Sequence, residues 1–235
     1  MKIGIINAGN IGLNLAVGWI CHGHDIMLSK DTHPEQLMER TRILGLGRGL
    51  SETELSKFQY GSLADAAQFG DIVVMAVYFP RLEHVLEELR IDGVTLSGKI
   101  VIDTMNPLNV DAGFNHFHDL KFMEQTSVTE RLQLEFPEAI LFKAFNNVPA
   151  GLLDITKWSD GHYPSILFIG GNSVEDVVRV RALIGTSGFK PQFAGHNLSD
   201  SRILEKLGIL MHRLADNEYG GDTAIAISVF KSPSE

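Results

Sequence analysis

The sequence has a single cysteine, Cys21, which rules out an internal disulfide and removes the usual mark of an oxidising compartment. No run of lysine and arginine occurs, and the formal charge of −9 is spread over many short stretches. Nucleic acid therefore finds no electrostatic footprint and is not an expected partner. No apolar run approaches the roughly twenty residues a bilayer requires, so no membrane partner is expected and a cytoplasmic location is. Lys2 followed by apolar residues to Ile20 has the outline of a signal peptide, but Asn7, Asn10 and Asn14 interrupt it and it reads as folded structure. Internal repeats and low-complexity tracts are missing too. Cys21 falls inside a predicted helix, where a small buried hydrophobe is expected and not a catalytic thiol.

What is present is a regular alternation. Strand-like apolar runs at Lys2–Ile6, Asp25–Ser29, Asp71–Val77, Lys99–Asp103 and Ala139–Phe145 are interleaved with helical patterns at Ile11–His22, Pro34–Leu44 and Arg81–Leu89. Continuous runs such as "DIVVMAVYF" imply burial on both faces, hence an α/β fold with a Rossmann-type, doubly wound parallel sheet. Leu108–Thr126 has no clear period and is expected to be a long loop lining the cleft, after which Ser127 and Glu130 stand at capping-box spacing before a helix that stops at Pro137. Beyond Pro149 the pattern resumes with "SILFIGG", a helix from about Ser173 to Ile184 capped by Ser173 and Asp176, a strand near Lys190–Ala194 and a last helix from about Asp200 to Ala215. At 235 residues one domain is expected, with a nucleotide-binding core over about 1–150 and a small C-terminal α/β lobe over about 151–235 closing the acceptor cleft.

"KIGIINAGNIG" places a glycine-rich turn between the first strand and the first helix. In a dinucleotide-binding turn the first glycine makes the bend, the second lets the backbone approach pyrophosphate, and the third lets the helix pack on the strand. Gly9 and Gly12 keep the last two roles, and Asn7 replaces the first, a residue type that tolerates the left-handed conformation. The amides of Ala8, Gly9, Asn10 and Ile11 are then expected to face phosphate at a helix N-terminus.

The second strand decides which nucleotide. About twenty residues past the turn an acidic residue suits the ribose of NAD, whereas a hydroxyl with a cation suits the 2′-phosphate of NADP. Here "MLSKD" puts Ser29 at that position with Lys30 after it, and His33 offers a second positive group, so NADPH is the expected cofactor. A slip of one residue would instead present Asp31 to an NAD ribose.

Three more strand ends, "VVMAVYFP", "IVIDTMNPL" and "LFKAFNNVPAGLL", would line the cleft, since ligands of open parallel sheets bind at the carboxyl ends of strands. Ala76, Val77, Tyr78 and Phe79 are expected along the nucleotide, Ala76 and Ala144 as small residues beside a flat ring, and Asn106, Pro107, Asn146 and Asn147 near its carboxamide or the acceptor. Each asparagine could equally satisfy local turn amides. "HFH" at His116–His118 and "HGH" at His22–His24 invite a metal reading, but no third ligand stands at a matching spacing, so no metal site is expected. Phe114, Phe117 and Phe122 are available to cover a ring pocket or to pack in the core.

The order of "IINAGNIG", the Ser29–Lys30 pair, "AVYFP", "IDTMNPL", "KAFNNVPAGLL", "FIGGNSVEDVVRVRALIGTSGFKPQFAG" and "LSDSRILEKLGILMHRLA" resembles the coenzyme F-420-dependent NADP oxidoreductases over nearly the whole chain. That group also resembles the cytosolic NADPH domains of membrane ferric reductases. The resemblance implies NADPH along the strand ends, a deazaflavin or flavin-like ring stacked on the nicotinamide as co-substrate, Asn146 as the polar group near that ring, and His196–Ser199 facing it. Lys30 stands where the family commonly has arginine, and the His116 loop and "AGHNLSDSR" are longer than usual.

Hydride transfer between two rings needs alignment more than acid or base, so Asn146 is expected to orient and no obligatory proton donor is assigned. An imine or carbonyl acceptor would need one, and His116, His118, Tyr78 and His196 are available. The alternatives are an imine or pyrroline-carboxylate-type reductase, whose long helical dimerisation domain this C-terminal third is too short to supply, and a non-catalytic NADPH-binding regulator. A homodimer is an open option for the assembly.

Overall fold

The computed structural model describes residues 1–113, 116–159 and 162–232; Phe114 therefore lies outside the described residues. Ten strands are described: β1 (Lys2–Ile6), β2 (Asp25–Ser29), β3 (Gln59–Gly61), β4 (Ile72–Met75), β5 (Ile100–Asp103), β6 (Leu108–Val110), β7 (His116–His118), β8 (Ile140–Lys143), β9 (Ser165–Gly170) and β10 (Lys190–Gly195). Helices are α1 (Asn10–Ile20), α2 (Leu37–Gly47), α3 (Glu52–Leu55), α4 (Leu63–Phe69), α5 (Leu82–Ile91), α6 (Leu120–Gln125), α7 (Val128–Glu135), α8 (Val174–Thr186) and α9 (Ser201–Glu218).

Eight strands form one sheet in the order β10-β9-β8-β5-β4-β1-β2-β3. Pairing is parallel from β3 through β8, antiparallel between β8 and β9, and parallel again between β9 and β10. The Rossmann-type α/β expectation holds, and the C-terminal α/β part prolongs the sheet with reversed strands. Because consecutive residues of a strand face opposite sides, the continuous apolar runs feed two cores. Ile3, Ile5, Ile72, Val74, Ile100 and Ile102 pack under α1, α2 and α8, while Ile6, Val73, Met75 and Val101 pack under α4, α5 and α7. On β1 the approach of α4 is so close that a Cβ on Gly4 would lie 1.8 Å from the Ala66 carbonyl oxygen. The chain leaves β1 toward β2 on one side and returns to β4 on the other, so the carboxyl ends of β1 and β4 flank the point where strand order reverses.

Two expectations need correction. Cys21 is exposed, because α1 ends at Ile20 and Cys21 follows as its C-cap, the thiol donating to the Val17 carbonyl at 3.4 Å. Leu108–Thr126 is not a structureless loop: β6 and β7 pair as a short hairpin with Val110 opposite His116, and Asp119 caps α6 by accepting the Phe122 amide at 3.0 Å. Three-residue strands are too short to show a period. The stretch between α2 and β4 also holds structure the periodicity did not show: Ser51 with Glu54, and Ser62 with Asp65, form reciprocal capping boxes that start α3 and α4. Ser62→Ala should cost about 1 kcal/mol in a denaturant titration, the usual worth of an N-cap; an unchanged midpoint would show that packing of α4 on β1 suffices.

Candidate functional site

The turn after β1 answers the missing glycine physically. Asn7 adopts φ 59°, the left-handed conformation expected of it, and its Oδ1 accepts a 2.7 Å hydrogen bond from Lys30 Nζ. The same residue thus makes the bend and holds the ammonium group of the next strand's end over it. Gly12 packs α1 against the sheet: a Cβ there would lie 2.9 Å from Ile5 Cγ2 and 3.2 Å from Ala76 Cβ. The Ala8 amide is already donated to the Ser29 carbonyl at 2.7 Å, so it ties β1 to β2 and is not free for phosphate as expected. Among the described residues no acceptor is bonded to the amides of Gly9, Asn10, Ile11 and Gly12, and α1 has no acidic residue in its first turn. Four free donors at the positive end of a helix form an anion site.

The cations around it differ from the expected set. Ser29 is a correction: it is fully buried and its hydroxyl donates to the Ile5 carbonyl at 2.9 Å, so it fastens β2 to β1 and cannot reach a phosphate. His33 is a second: it sits at φ 52°, exposed, against Glu35 at 3.2 Å, outside the cavity lining. Lys30 stays, and Arg40 of α2, not singled out by the motif, joins it on the cavity wall with Nη2 3.1 Å from Asn10 Oδ1. Asp31 is not a free ribose ligand, since its buried carboxylate is clamped by Arg81 at 3.0 Å. Burial pushes that carboxyl up, but the Arg81 hydrogen bond and the Lys30 and Arg81 charges bring it below the ordinary value. Burial also lowers Lys30, against Asp31 and with Arg40 and Arg81, the mark of a cluster of positive groups.

From this end a cavity of about 530 Å3 runs along the strand ends. Ala76, Val77, Tyr78 and Phe79 line it as expected, and so do Asn106, Asn146 and Asn147. Pro107 is buried behind the wall, its carbonyl accepting the Asp119 amide, and Ala144 is wholly buried in the core, so neither meets the cavity. Ala144 is displaced because the chain turns one residue later: Phe145 adopts φ 65° and packs edge-on against Trp19. A bulky residue held there stores strain of about 1–3 kcal/mol, and the turn it makes swings Asn146 onto the cavity wall.

The two adjacent asparagines then divide. Asn147 donates to the Ser165 carbonyl at 2.7 Å and accepts from the Leu167 amide at 3.3 Å, a tie between β8 and β9. Asn146 donates to Asn106 Oδ1 and to the Leu204 carbonyl, both at 2.9 Å, and Asn106 returns a 2.8 Å bond to the Asn146 carbonyl. Its own Oδ1 is buried without a partner among the described residues. An orphaned acceptor in a cavity wall is a position for a ligand N–H, such as that of a carboxamide.

The far wall comes from α9, whose Gly208, Met211 and His212 face the cavity, and from Thr223 and Ile225 of the tail. His196–Ser199, the segment implied by the resemblance, does not line it; His196 instead sits 3.0 Å from the Gly171 carbonyl. His118 and His212 meet at 2.9 Å between Nε2 and Nδ1. No group of three side chains is placed to hold a metal among the described residues, and no described helix is long and apolar enough to cross a membrane.

α9 is fixed to the sheet by a buried ion cluster. Lys143 Nζ bonds Asp103 at 2.9 Å and Glu205 at 2.8 Å, and also donates to the Met105 carbonyl. All three charged side chains are fully buried. Burial works against the Lys143 charge, yet the two carboxylates raise it above the ordinary lysine value; burial raises Glu205 despite Lys143.

Residues 2–107 match the family described as NADP oxidoreductase coenzyme F420-dependent. In fold, a candidate F420-dependent NADP-reductase from Arthrobacter sp. FB24 is similar at TM-score 0.77 and 23% identity, covering 98% of this chain and 100% of its own. A hypothetical protein from Sinorhizobium meliloti is similar at TM-score 0.62 and 23% identity, over 85% and 87% of the two chains. A reductive aminase from Aspergillus terreus, solved in complex with NADPH and ethyl levulinate, is similar at TM-score 0.57 and 13% identity, covering 94% of this chain and 68% of its own. No curated protein matches the chain. The order of motifs and these comparisons agree that the family this chain resembles is that of the coenzyme F420-dependent NADP oxidoreductases, over residues 2–107 in sequence and over nearly the whole length in fold.

Proposed function

We propose that the chain is an NADPH-dependent oxidoreductase whose acceptor is a ring, a deazaflavin or a flavin-like system, lying against the nicotinamide. The observation that carries this reading is the continuity of one cavity from the free amides of α1 to the unpartnered Oδ1 of Asn146, with Lys30 and Arg40 at one end and α9 at the other. When bound there, NADPH supplies the hydride and its electron pair. The amides of Gly9, Asn10 and Ile11 hold the diphosphate, and Lys30 and Arg40 take the 2′-phosphate. Ala76 and Val77 let a flat ring approach the end of β4. Asn146 Oδ1 accepts from the carboxamide and fixes which ring face points at α9. Met105, Val148 and Met211 keep water from the reacting faces, and Gly208 leaves room for the second ring. Held this way, two rings gain the large rate advantage of preset alignment.

A simple imine in place of the ring system is the second reading of the acceptor, favoured by His212 on the same wall. Single-turnover stopped-flow with NADPH-loaded protein against a deazaflavin, FMN and a cyclic imine separates the readings. The expected result is oxidation by a deazaflavin. Oxidation by the imine alone would favour the second reading, and tight NADPH binding without oxidation by any acceptor would overturn both in favour of a regulatory protein.

A further inference from the structure

The end of β7 and the middle of α9 bring two histidines into direct contact at the acceptor end of the cavity. His118 Nε2 lies 2.9 Å from His212 Nδ1, with ring centroids 4.8 Å apart. The contact is built into the backbone, because a Cβ on Gly208 would lie 3.2 Å from His118 Cε1 and 3.5 Å from Asn106 Nδ2. The bare backbone of Gly208 lets the His118 ring pack closely on α9 beside the Asn106 amide, so the pair sits next to the Asn106–Asn146 bridge. His212 lines the cavity with its Nδ1 engaged by His118, and its Nε2 has no hydrogen-bond partner among the described residues. Of the other proton donors, His196 is taken up at the Gly171 carbonyl, whereas Tyr78 and His116 also line the cavity but stand at its exposed rim, edge-on to each other at 6.3 Å, and neither is held against Asn106 as the His118–His212 pair is.

We propose that this pair is the proton source of the reaction: His212 Nε2 is the catalytic group that gives a proton to the heteroatom of the reduced acceptor, and His118 resupplies His212. The inference rests on the oxidoreductase reading above, and it names the acceptor class as one with a neutral C=N bond. The hydride forms a new C–H bond at the acceptor carbon with both its electrons, and an electron pair moves onto the C=N nitrogen, directly in an imine and through the conjugated C=C bond when the hydride adds at C5 of a deazaflavin. That nitrogen takes the proton from His212 Nε2. His212 Nδ1 takes the proton from His118 Nε2, and His118, which entered as the imidazolium, ends neutral. The pair thus loses one excess proton per turnover and regains it from water, while the nucleotide is oxidised and the acceptor reduced.

The surroundings suit an acid. Burial and His212 lower His118 to about 4. Burial also lowers His212, against Asp216 one turn along α9 and with His116 from the hairpin, while Asn106 and Gly208 complete the surroundings without charge. The protonated pair is therefore scarce at neutral pH and gives up its proton readily.

The test compares a neutral 5-deazaflavin with an N-methylated cyclic iminium, which becomes neutral on taking hydride and needs no proton. In wild type the deazaflavin rate should climb as pH falls from about 8 to about 5, while the iminium rate stays flat. His212→Gln should slow the deazaflavin reaction about 100-fold and flatten its pH profile, leaving the iminium rate within about twofold. Added imidazole should restore part of the deazaflavin rate in His212→Gly. A readout independent of turnover is the imidazole Cε1 proton NMR of the nucleotide-free protein, in which His118→Gln should shift the titration of His212. Equal losses on both acceptors in His212→Gln, an unchanged deazaflavin rate, or independent titration of the two rings would overturn the inference alone. A wild-type protein that oxidises NADPH with neither acceptor would overturn the oxidoreductase reading and the inference with it.

Discussion

Replacing Lys30 and Arg40 together with alanine should weaken NADPH binding about 100-fold while NADH affinity changes only a few-fold, as expected when two charge-assisted contacts to one phosphate are lost and solvent exposure of Arg40 reduces its share. The reasoning starts from Asn7. Lys30 is not a free-swinging surface lysine; its side chain is 17% exposed and its ammonium is pinned at 2.7 Å to Asn7 Oδ1. Arg40 is exposed and enters from another helix, anchored to Asn10 of the same turn. Asn7→Gly supplies a finer check. Glycine keeps the left-handed bend, so the turn survives, but Lys30 loses its anchor and NADPH affinity should fall by a smaller factor than in Lys30→Ala. Isothermal titration with both nucleotides reads all of these. Equal losses for NADPH and NADH in the double variant would mean the two cations serve the diphosphate or the fold and not the 2′-phosphate.

The largest stability effect is expected at Lys143→Ala. Removing the ammonium leaves Asp103 and Glu205 facing each other in the core, and breaking a buried pair from one side costs about 3–5 kcal/mol. For a chain of 235 residues that corresponds to a fall in Tm of about 10 °C. The loss should be partly reversed in the double variant Lys143→Met with Glu205→Leu, because it removes two of the three buried charges and leaves Asp103 with the Met105 amide and the Thr129 hydroxyl. Nucleotide affinity is a separate readout: the cluster holds the Met105 carbonyl and the amide of Val128, and through Glu205 it sets α9, so the acceptor end should loosen while the phosphate end is spared. A Tm unchanged within about 1 °C would show that water or relaxation replaces the lysine at little cost.

Much of this was readable from the sequence, and the failures have identifiable causes. The strands β1, β2, β4, β5 and β8 announce themselves because both faces are buried, which makes their apolar runs continuous. The turn was legible because Asn7 is one of the few residue types that can replace a glycine at positive φ. Ser29 and Ala8 were misassigned because a motif gives positions along the chain and not the directions of donors; both groups face the neighbouring strand. Arg40 is contributed by a helix eleven residues long with no local signal that its side chain returns to the turn. Phe145 is the least legible feature: nothing in the composition of "KAFNNVPA" shows that the phenyl-bearing residue takes the left-handed conformation and so decides which asparagine meets the cavity. The His118–His212 contact joins residues 94 apart, a separation that no local motif such as "HFH" can encode.

The account turns on whether α1 and its cations recognise a 2′-phosphorylated dinucleotide. Calorimetric titration of the intact, folded chain with NADPH and then NADH tests this most directly. Saturable binding of one NADPH per chain, clearly tighter than NADH, is the predicted outcome. No heat with either nucleotide, or tighter binding of NADH, would contradict it.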